Sequence, residues 1–254
     1  AQAGAQEFPV RPVRLIVGFP PGGAADILGR HAAHALTEAF GQQVVVDHRP
    51  GAGSVVGTEV VAPAAPAGYT ILMTGTPFAV SPAIYRKLPY HPVNDFTPIT
   101  QMTAGGLMLV VNLKHPAKNA KEFVQWAKTT KEPVNYGSAG IGSALHLSVE
   151  MLSAVTGVQM LHVPYKGSSP ALADVVGGLG LVMFSSSITG LPLALHGKLR
   201  ALAVTSLARS AAASDIPTVA DTLPGFEAIG WYGVVAPRGT PPPVIDQLHT
   251  AIDR

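Results

Sequence analysis

Val17-Gly-Phe-Pro-Pro-Gly-Gly-Ala-Ala-Asp26 compresses a strand end, a tight turn and a helix start into one run. Leu15, Ile16 and Val17 form a short apolar strand bounded by glycine and proline. A helix follows the turn at once. Glycine lets backbone amides approach a ligand closely, and a helix start leaves its first amides unpaired and partly positive. Together these features suit an anion such as a carboxylate. The same grammar returns in the second half as Asn135-Tyr-Gly-Ser-Ala-Gly-Ile-Gly-Ser-Ala-Leu-His146. Two such loops predict a small acid held between two lobes.

Outward from the first loop, short aliphatic runs at 14–17, 44–47 and 70–73 read as strands. A helix is expected over 25–40, with Leu28, Ala32, Ala35, Leu36 and Ala39 on one face and Gly41 ending it. A second helix is expected from Ser54, acting as its cap, to just before Pro63. Strands alternating with helices imply a parallel sheet covered on both faces. Residues 89–100, rich in Pro, Asn and Asp, read as a loop. A fresh strand is expected at 107–111. The break suggests two α/β lobes, 1–103 plus 226–254 and 104–225. The second lobe reads as a helix over 120–128 capped by Asn119, then strands at 134–136, 160–163, 181–184 and 199–204, with a helix over 143–156 and another after Pro170; 231–236 reads as the last strand, before three prolines and a helix from Val244.

Composition narrows the function. The chain has 254 residues, of which 47% are hydrophobic and 13% charged, so it has ample core and is not a disordered tail. The net charge of +2, without a basic cluster, argues against nucleic acid. Cysteine is absent, which removes disulfides and thiol catalysis. No apolar run reaches the roughly 20 residues of a membrane helix. The opening Ala1-Gln-Ala-Gly-Ala-Gln6 reads either as the flank left by signal-peptide cleavage or as an ordinary frayed end.

Other motifs carry competing readings. Gly51-Ala-Gly-Ser-Val-Val-Gly57 has one residue too many before its last glycine for a dinucleotide fingerprint, and a turn with a helix cap fits better. His31, His34 and Glu38 share a helix stripe that could ligate zinc, but the stripe lies off the apolar face and reads as solvated. Ser138, Ser143 and His146 invite a serine hydrolase, yet no Gly-x-Ser-x-Gly elbow is present and Ser143 stands where a cap is needed. Tyr165-Lys-Gly-Ser-Ser-Pro170 adds a third strand-to-helix turn. Lys166 there either meets an anion or is solvated. Thr74-Gly-Thr76 holds the equivalent place in the first lobe. Phe19 and Trp231 fit a cleft wall and a core equally well.

With these loops laid out, the chain resembles the Bug-type periplasmic solute-binding receptors of tripartite tricarboxylate transporters. The matching stretches are Arg14-Leu-Ile-Val-Gly-Phe-Pro-Pro-Gly-Gly23 with Asp26, Gly41-Gln-Gln-Val-Val-Val-Asp-His-Arg-Pro-Gly-Ala-Gly53, Gly68-Tyr-Thr-Ile-Leu72, Leu88-Pro-Tyr90, His162-Val-Pro-Tyr-Lys-Gly167, Leu199-Arg-Ala-Leu-Ala-Val-Thr205, and Ala236-Pro237 with Gly239-Thr-Pro241. They run through nearly the whole chain in family order.

The resemblance implies a type II periplasmic binding protein fold, two α/β lobes closing on a small carboxylate. It implies a non-catalytic protein without cofactor or metal. Such a receptor would act as a monomer in the periplasm, delivering its acid to membrane transporter subunits or a sensor. Carried over by position, ligand contacts fall on Phe19, Pro20, Pro21, Gly22, Gly23 and Ala24, and on Thr74, Gly75 and Thr76. Others fall on Ser138, Ala139, Gly140, Gly142, Ser143 and His146, and on Tyr165, Lys166 and Gly167. Many members carry an acid directly after the phenylalanine matching Phe184, where this chain has Ser185. An amine-free dicarboxylate or aromatic acid is therefore expected over an amino acid. Members also continue past the position of Arg254, so the first lobe is expected to be incomplete or trimmed. A secreted or periplasmic serine hydrolase remains the alternative, with a structural or adhesion protein third.

Overall fold

Val13, Leu15, Ile16 and Val17 are almost wholly buried, the pattern of a parallel strand covered on both faces. In the computed structural model, which describes residues 8–253, they form β1 (Val13–Val17). The chain continues through α1 (Ala24–Phe40), β2 (Val44–His48), α2 (Val55–Val61), β3 (Thr70–Gly75), α3 (Thr76–Ile84) and β4 (Phe96–Val111). It proceeds through α4 (Ala120–Thr129), β5 (Val134–Ser138), α5 (Ala144–Thr156), β6 (Met160–Pro164), α6 (Ser168–Gly177) and β7 (Met183–Ser186). The last elements are α7 (Ser187–Leu195), β8 (Arg200–Val204), β9 (Ile229–Pro237) and α8 (Pro242–Ile252). The reading of the first six residues as a cleavage flank, and the departure at Arg254, lie outside the described residues.

The chain divides into two compact units, one made of the residues up to Thr103 and from Tyr232 onward, the other of Ala104–Trp231. In the first unit β1 lies between β2 and β3, parallel to both, and β9 runs antiparallel beside β3. Its core gathers Ile16, Val61, Leu72, Tyr90, Phe96 and Val235. Phe78, Tyr90 and Phe96 meet there edge-on or stacked, 5.1–6.4 Å apart. In the second unit β5 and β6 are parallel. β5 is flanked on its other side by a parallel bridge from Tyr136 to Val182, and β4 pairs antiparallel with β7 and β8. Phe123, Tyr136, Leu152 and Phe184 are among its fully buried side chains, each contributing about 1.5–3 kcal/mol through burial.

Several expectations shift. The buried stripe of α1 includes Ala25, Gly29, Ala32, Ala33 and Leu36, while Ala39 is exposed. Gly29 turns the stripe: a Cβ there would sit 3.0 Å from Val17 Cγ2, a contact tight enough that glycine suits the close approach of α1 to β1. Residues 96–100, read as loop, are strand: they open the long β4, which runs on through 101–106 into the strand expected at 107–111. Its Thr, Gln and Gly residues look irregular alone, and the neighbouring β9 supplies the pairing that makes them a strand. Ser54 stands before α2 but does not cap it: its φ is 81° and its hydroxyl is turned onto Gly18. Gly41 ends α1 as expected, at φ 63° with its amide on the Thr37 carbonyl. Asn119 caps α4 by accepting the Glu122 amide. Among the described residues no helix is long and apolar enough to cross a membrane.

The tightest backbone contact of the first unit supplies a test. A Cβ on Gly57 of α2 would lie 2.8 Å from Gly18 Cα and 3.1 Å from the Arg49 carbonyl oxygen, both main chain. Gly57→Ala should therefore lose about 2 kcal/mol in urea unfolding through overpacking, although alanine is by itself the better helix former by about 1 kcal/mol. A gain in stability would show that α2 has room to retreat.

Candidate functional site

In each unit the parallel strands end together, so the loops that follow them gather at the same end of their sheet. In the first unit Val17 lies opposite Met73, which brings Phe19, Pro20, Pro21, Gly22, Gly23 and Ala24 beside Thr74, Gly75 and Thr76. In the second unit Ser138 lies opposite Pro164, which brings Ala139, Gly140, Gly142 and Ser143 beside Tyr165, Lys166 and Gly167. Ser185, in β7, ends a third strand-to-helix turn of that unit.

The helix starts are of two kinds. α1 begins after Gly23, α3 after Gly75 and α6 after Gly167, and none of the three has a side-chain cap. The first turn of each carries the positive end of the helix dipole, and the glycine before it has no side chain with which to cap it. α5 and α7 begin after Ser143 and Ser186, whose hydroxyls accept the His146 and Ile188 amides. Beside the α1 loop, the buried Thr74 and Thr76 hydroxyls have no hydrogen-bond partner among the described residues. A buried hydroxyl left unmatched costs about 1–3 kcal/mol.

The first loop is held by charge. Asp26 is 5% exposed. One of its oxygens accepts the Gly22 amide at 2.8 Å. The other faces Arg30 Nε at 2.8 Å and His48 Nε2 at 2.7 Å. Burial opposes the carboxylate charge, but the Gly22 amide, His48 and Arg30 outweigh it and hold the carboxyl below its usual value.

The second loop is held by neutral groups. Ser138 is fully buried, with its Oγ accepting the Gly140 amide at 3.0 Å and lying 2.6 Å from His162 Nε2. Ser143 donates to the Gly140 carbonyl at 2.7 Å. The His162 ring packs against Tyr136, stacked at 4.8 Å, and against His146, tilted at 4.3 Å, while Tyr136 and His146 lie 6.3 Å apart. Tyr136 donates to Glu150, and the Gly142 amide reaches His146 Nδ1 at 3.4 Å. The histidine bonded to Ser138 is His162, not the His146 weighed beside it in the hydrolase reading. His162 was quoted only as part of a family stretch, because strand pairing and not sequence distance brings it to Ser138.

The remaining candidates are accounted for locally. Tyr165 donates to Asp174 at 2.5 Å, and Lys166 is exposed. The Ser185 hydroxyl is taken up by Thr189 and the Ser186 carbonyl, both at 3.2 Å. His31, His34 and Glu38 are exposed, and no cluster able to hold a metal occurs among the described residues.

The histidine pair gives the second unit a pH signature. Burial pushes His162 down to about 4, His146 adds to the effect and Glu150 opposes it. Burial also lowers His146, again against Glu150. A group whose pKa is lower folded than unfolded takes up protons on unfolding, so stability is full above about 6.5 and falls toward pH 4. His115, lowered by burial and by Arg200, adds to the same window, while the lowered carboxyls of Asp26 and Asp47 act mainly at its acid end. Urea midpoints should therefore fall steadily from pH 7 to pH 4.5, and less steeply in His162→Gln. An unchanged slope in that variant would remove His162 from the account.

Known proteins share this architecture. The family model described as the tripartite tricarboxylate transporter family receptor matches residues 28–254. The chain is similar to a protein encoded in the tcbD-tcbE intergenic region of Pseudomonas sp. strain P51, at 39% identity over 97% of this chain and 74% of the relative. It is similar to Protein BugT of Bordetella pertussis at 36% identity, over 100% of this chain and 78% of the relative. Among solved structures, R. palustris Rpa4515 with adipate superposes with a TM-score of 0.94 at 34% identity, covering 97% of this chain and 83% of that one. MatC from Rhodopseudomonas palustris with bound malate gives 0.91 at 32% identity, covering 97% and 85%. The paired α/β units, their glycine-started helices and these matches agree: the chain belongs to the tripartite tricarboxylate transporter receptor family of periplasmic binding proteins.

Proposed function

We propose that this chain is a non-catalytic receptor for a small organic acid, a dicarboxylate or an aromatic acid without an amino group, which it delivers to membrane transporter subunits or to a sensor. The observation that carries this reading is the pair of unmatched buried hydroxyls, Thr74 and Thr76, beside a helix that starts on an uncapped glycine. Hydroxyls and first-turn amides donate hydrogen bonds to a carboxylate at little desolvation cost. The adipate and malate named with two relatives are acids of this class.

The loop residues also argue against an ammonium group. Asp26 is already committed to Gly22, Arg30 and His48. Ser185 is bonded within its own turn, and Glu150 accepts from Tyr136. A buried ammonium without an anionic or carbonyl partner is costly. A hydrolase reading gains little from Ser138, which is fully buried and bonded on both sides.

Calorimetry and thermal melts on protein stripped of carried-over ligand provide the test. Succinate, adipate, malate or an aromatic acid should raise the melting temperature, with about 2.7 kcal/mol of stabilisation at a hundredfold excess over Kd. Aspartate and glutamate should bind more weakly than the best of these. Tighter binding of either amino acid would refute the amine argument, and silence from the whole panel would refute the carboxylate reading.

A further inference from the structure

We infer that His48 and His162 are positioning residues, each reaching from the neighbouring parallel strand to fix the amide-bearing loop of its own unit, through Asp26 in the first and Ser138 in the second. The inference deepens the carboxylate reading and rests on it for the ligand.

The two devices share one layout. His48 closes β2 and stands opposite Val17, the last residue of β1. It lies 2.7 Å from one oxygen of Asp26, whose other oxygen holds the Gly22 amide at 2.8 Å. His162 stands on β6 opposite Tyr136 of β5. It lies 2.6 Å from Ser138 Oγ, which holds the Gly140 amide at 3.0 Å. In both units, then, a loop glycine amide is tied to a side chain, and that side chain to a histidine one strand away. The intermediate residue differs, aspartate in one unit and serine in the other, so this is no sequence repeat. The same mechanical task is met by ionic chemistry once and by neutral chemistry once.

The task follows from the loops themselves. Gly22 has φ 85° and Gly140 φ 112°, conformations that only glycine adopts freely. The freedom that allows these turns also leaves them with the most entropy to lose. Amides that must wait for a ligand contribute affinity only if they already point at it. An anchor from a rigid strand supplies that order. His162 is itself confined by Tyr136 and His146, and His48 is shared with the Arg30 side of Asp26.

The experiment compares His48→Ala, His48→Gln, His162→Ala and His162→Gln in the whole chain. Glutamine places an amide near the position of Nε2 and can keep the hydrogen bond. Amide hydrogen exchange is read at Gly22 and Gly140, with Ile16 and Tyr136 as strand controls, and calorimetry uses adipate and malate. His48→Ala should speed exchange at Gly22 alone and His162→Ala at Gly140 alone. Each should weaken acid binding roughly tenfold, the scale of one hydrogen bond lost at a charged group. The glutamine variants should restore both readouts. Unchanged exchange in the alanine variants, faster exchange without loss of affinity, or glutamine variants no better than alanine would each overturn the inference. Faster exchange at the strand controls in the glutamine variants would overturn it too, since the effect would then be general unfolding. If the wild-type chain binds neither acid, the carboxylate reading fails, while the exchange measurements still decide whether the histidines hold the loops.

Discussion

Every helix begins with amides that have no partner within the helix, and the rest of this molecule is organised around how those amides are met. Where serine precedes the helix, as at Ser143 and Ser186, a hydroxyl closes the end. Where glycine precedes it, as at Gly23, Gly75 and Gly167, the residue before the helix has no side chain with which to do so. Parallel strands then fix where these ends lie. Strands that run the same way must all hand over to their helices on the same side, so the open helix starts of a unit collect at one edge of its sheet.

Bringing helices that close to the strands requires the absence of side chains. Gly29 lets α1 lie on Val17, and Gly57 lets α2 lie on the backbone of Gly18. The same crowding turns Ser54 into a left-handed conformation with its hydroxyl buried and unmatched. Strain and unmatched polar groups therefore concentrate around the first loop, while the aromatic core of Phe78, Tyr90 and Phe96 lies elsewhere in the same unit. Costs of about 1–3 kcal/mol at such positions persist when surrounding packing enforces them.

The two units solve the problem of loop order with different electrostatics. The first uses a buried carboxylate held by an ion pair to Arg30 and a hydrogen bond to His48, so its loop geometry depends on that carboxylate. The second uses Ser138 and stacked imidazole and phenol rings, and burial keeps His162 uncharged at neutral pH. In a chain with only 13% charged residues, the loops proposed for the ligand offer mainly amides and hydroxyls, with Lys166 their one cation. Groups of this kind recognise the carboxylate itself, and the identity of the acid depends on what surrounds its remaining atoms.

Much of the fold was legible locally. The continuous apolar run before Gly18, the glycine after Phe40 and the asparagine before Ala120 are decided by burial, chirality and capping, which act over a few residues. The glycine loops were legible for the same reason, and the family stretches placed the candidate ligand contacts in order along the chain. Other features depend on neighbours distant in sequence. The polar stretch from Thr97 to Gly106 is a strand only because β9 lies beside it. Ser54 fails as a cap only because Gly18 is pressed against it. Asp26 meets His48, and Ser138 meets His162, only because β2 pairs with β1 and β6 with β5. Sequence by itself determined which segments could turn tightly and expose amides, since that is a property of glycine and proline. Tertiary structure decided which side chains hold those turns still, since strand register sets distances that spacing along the chain does not contain.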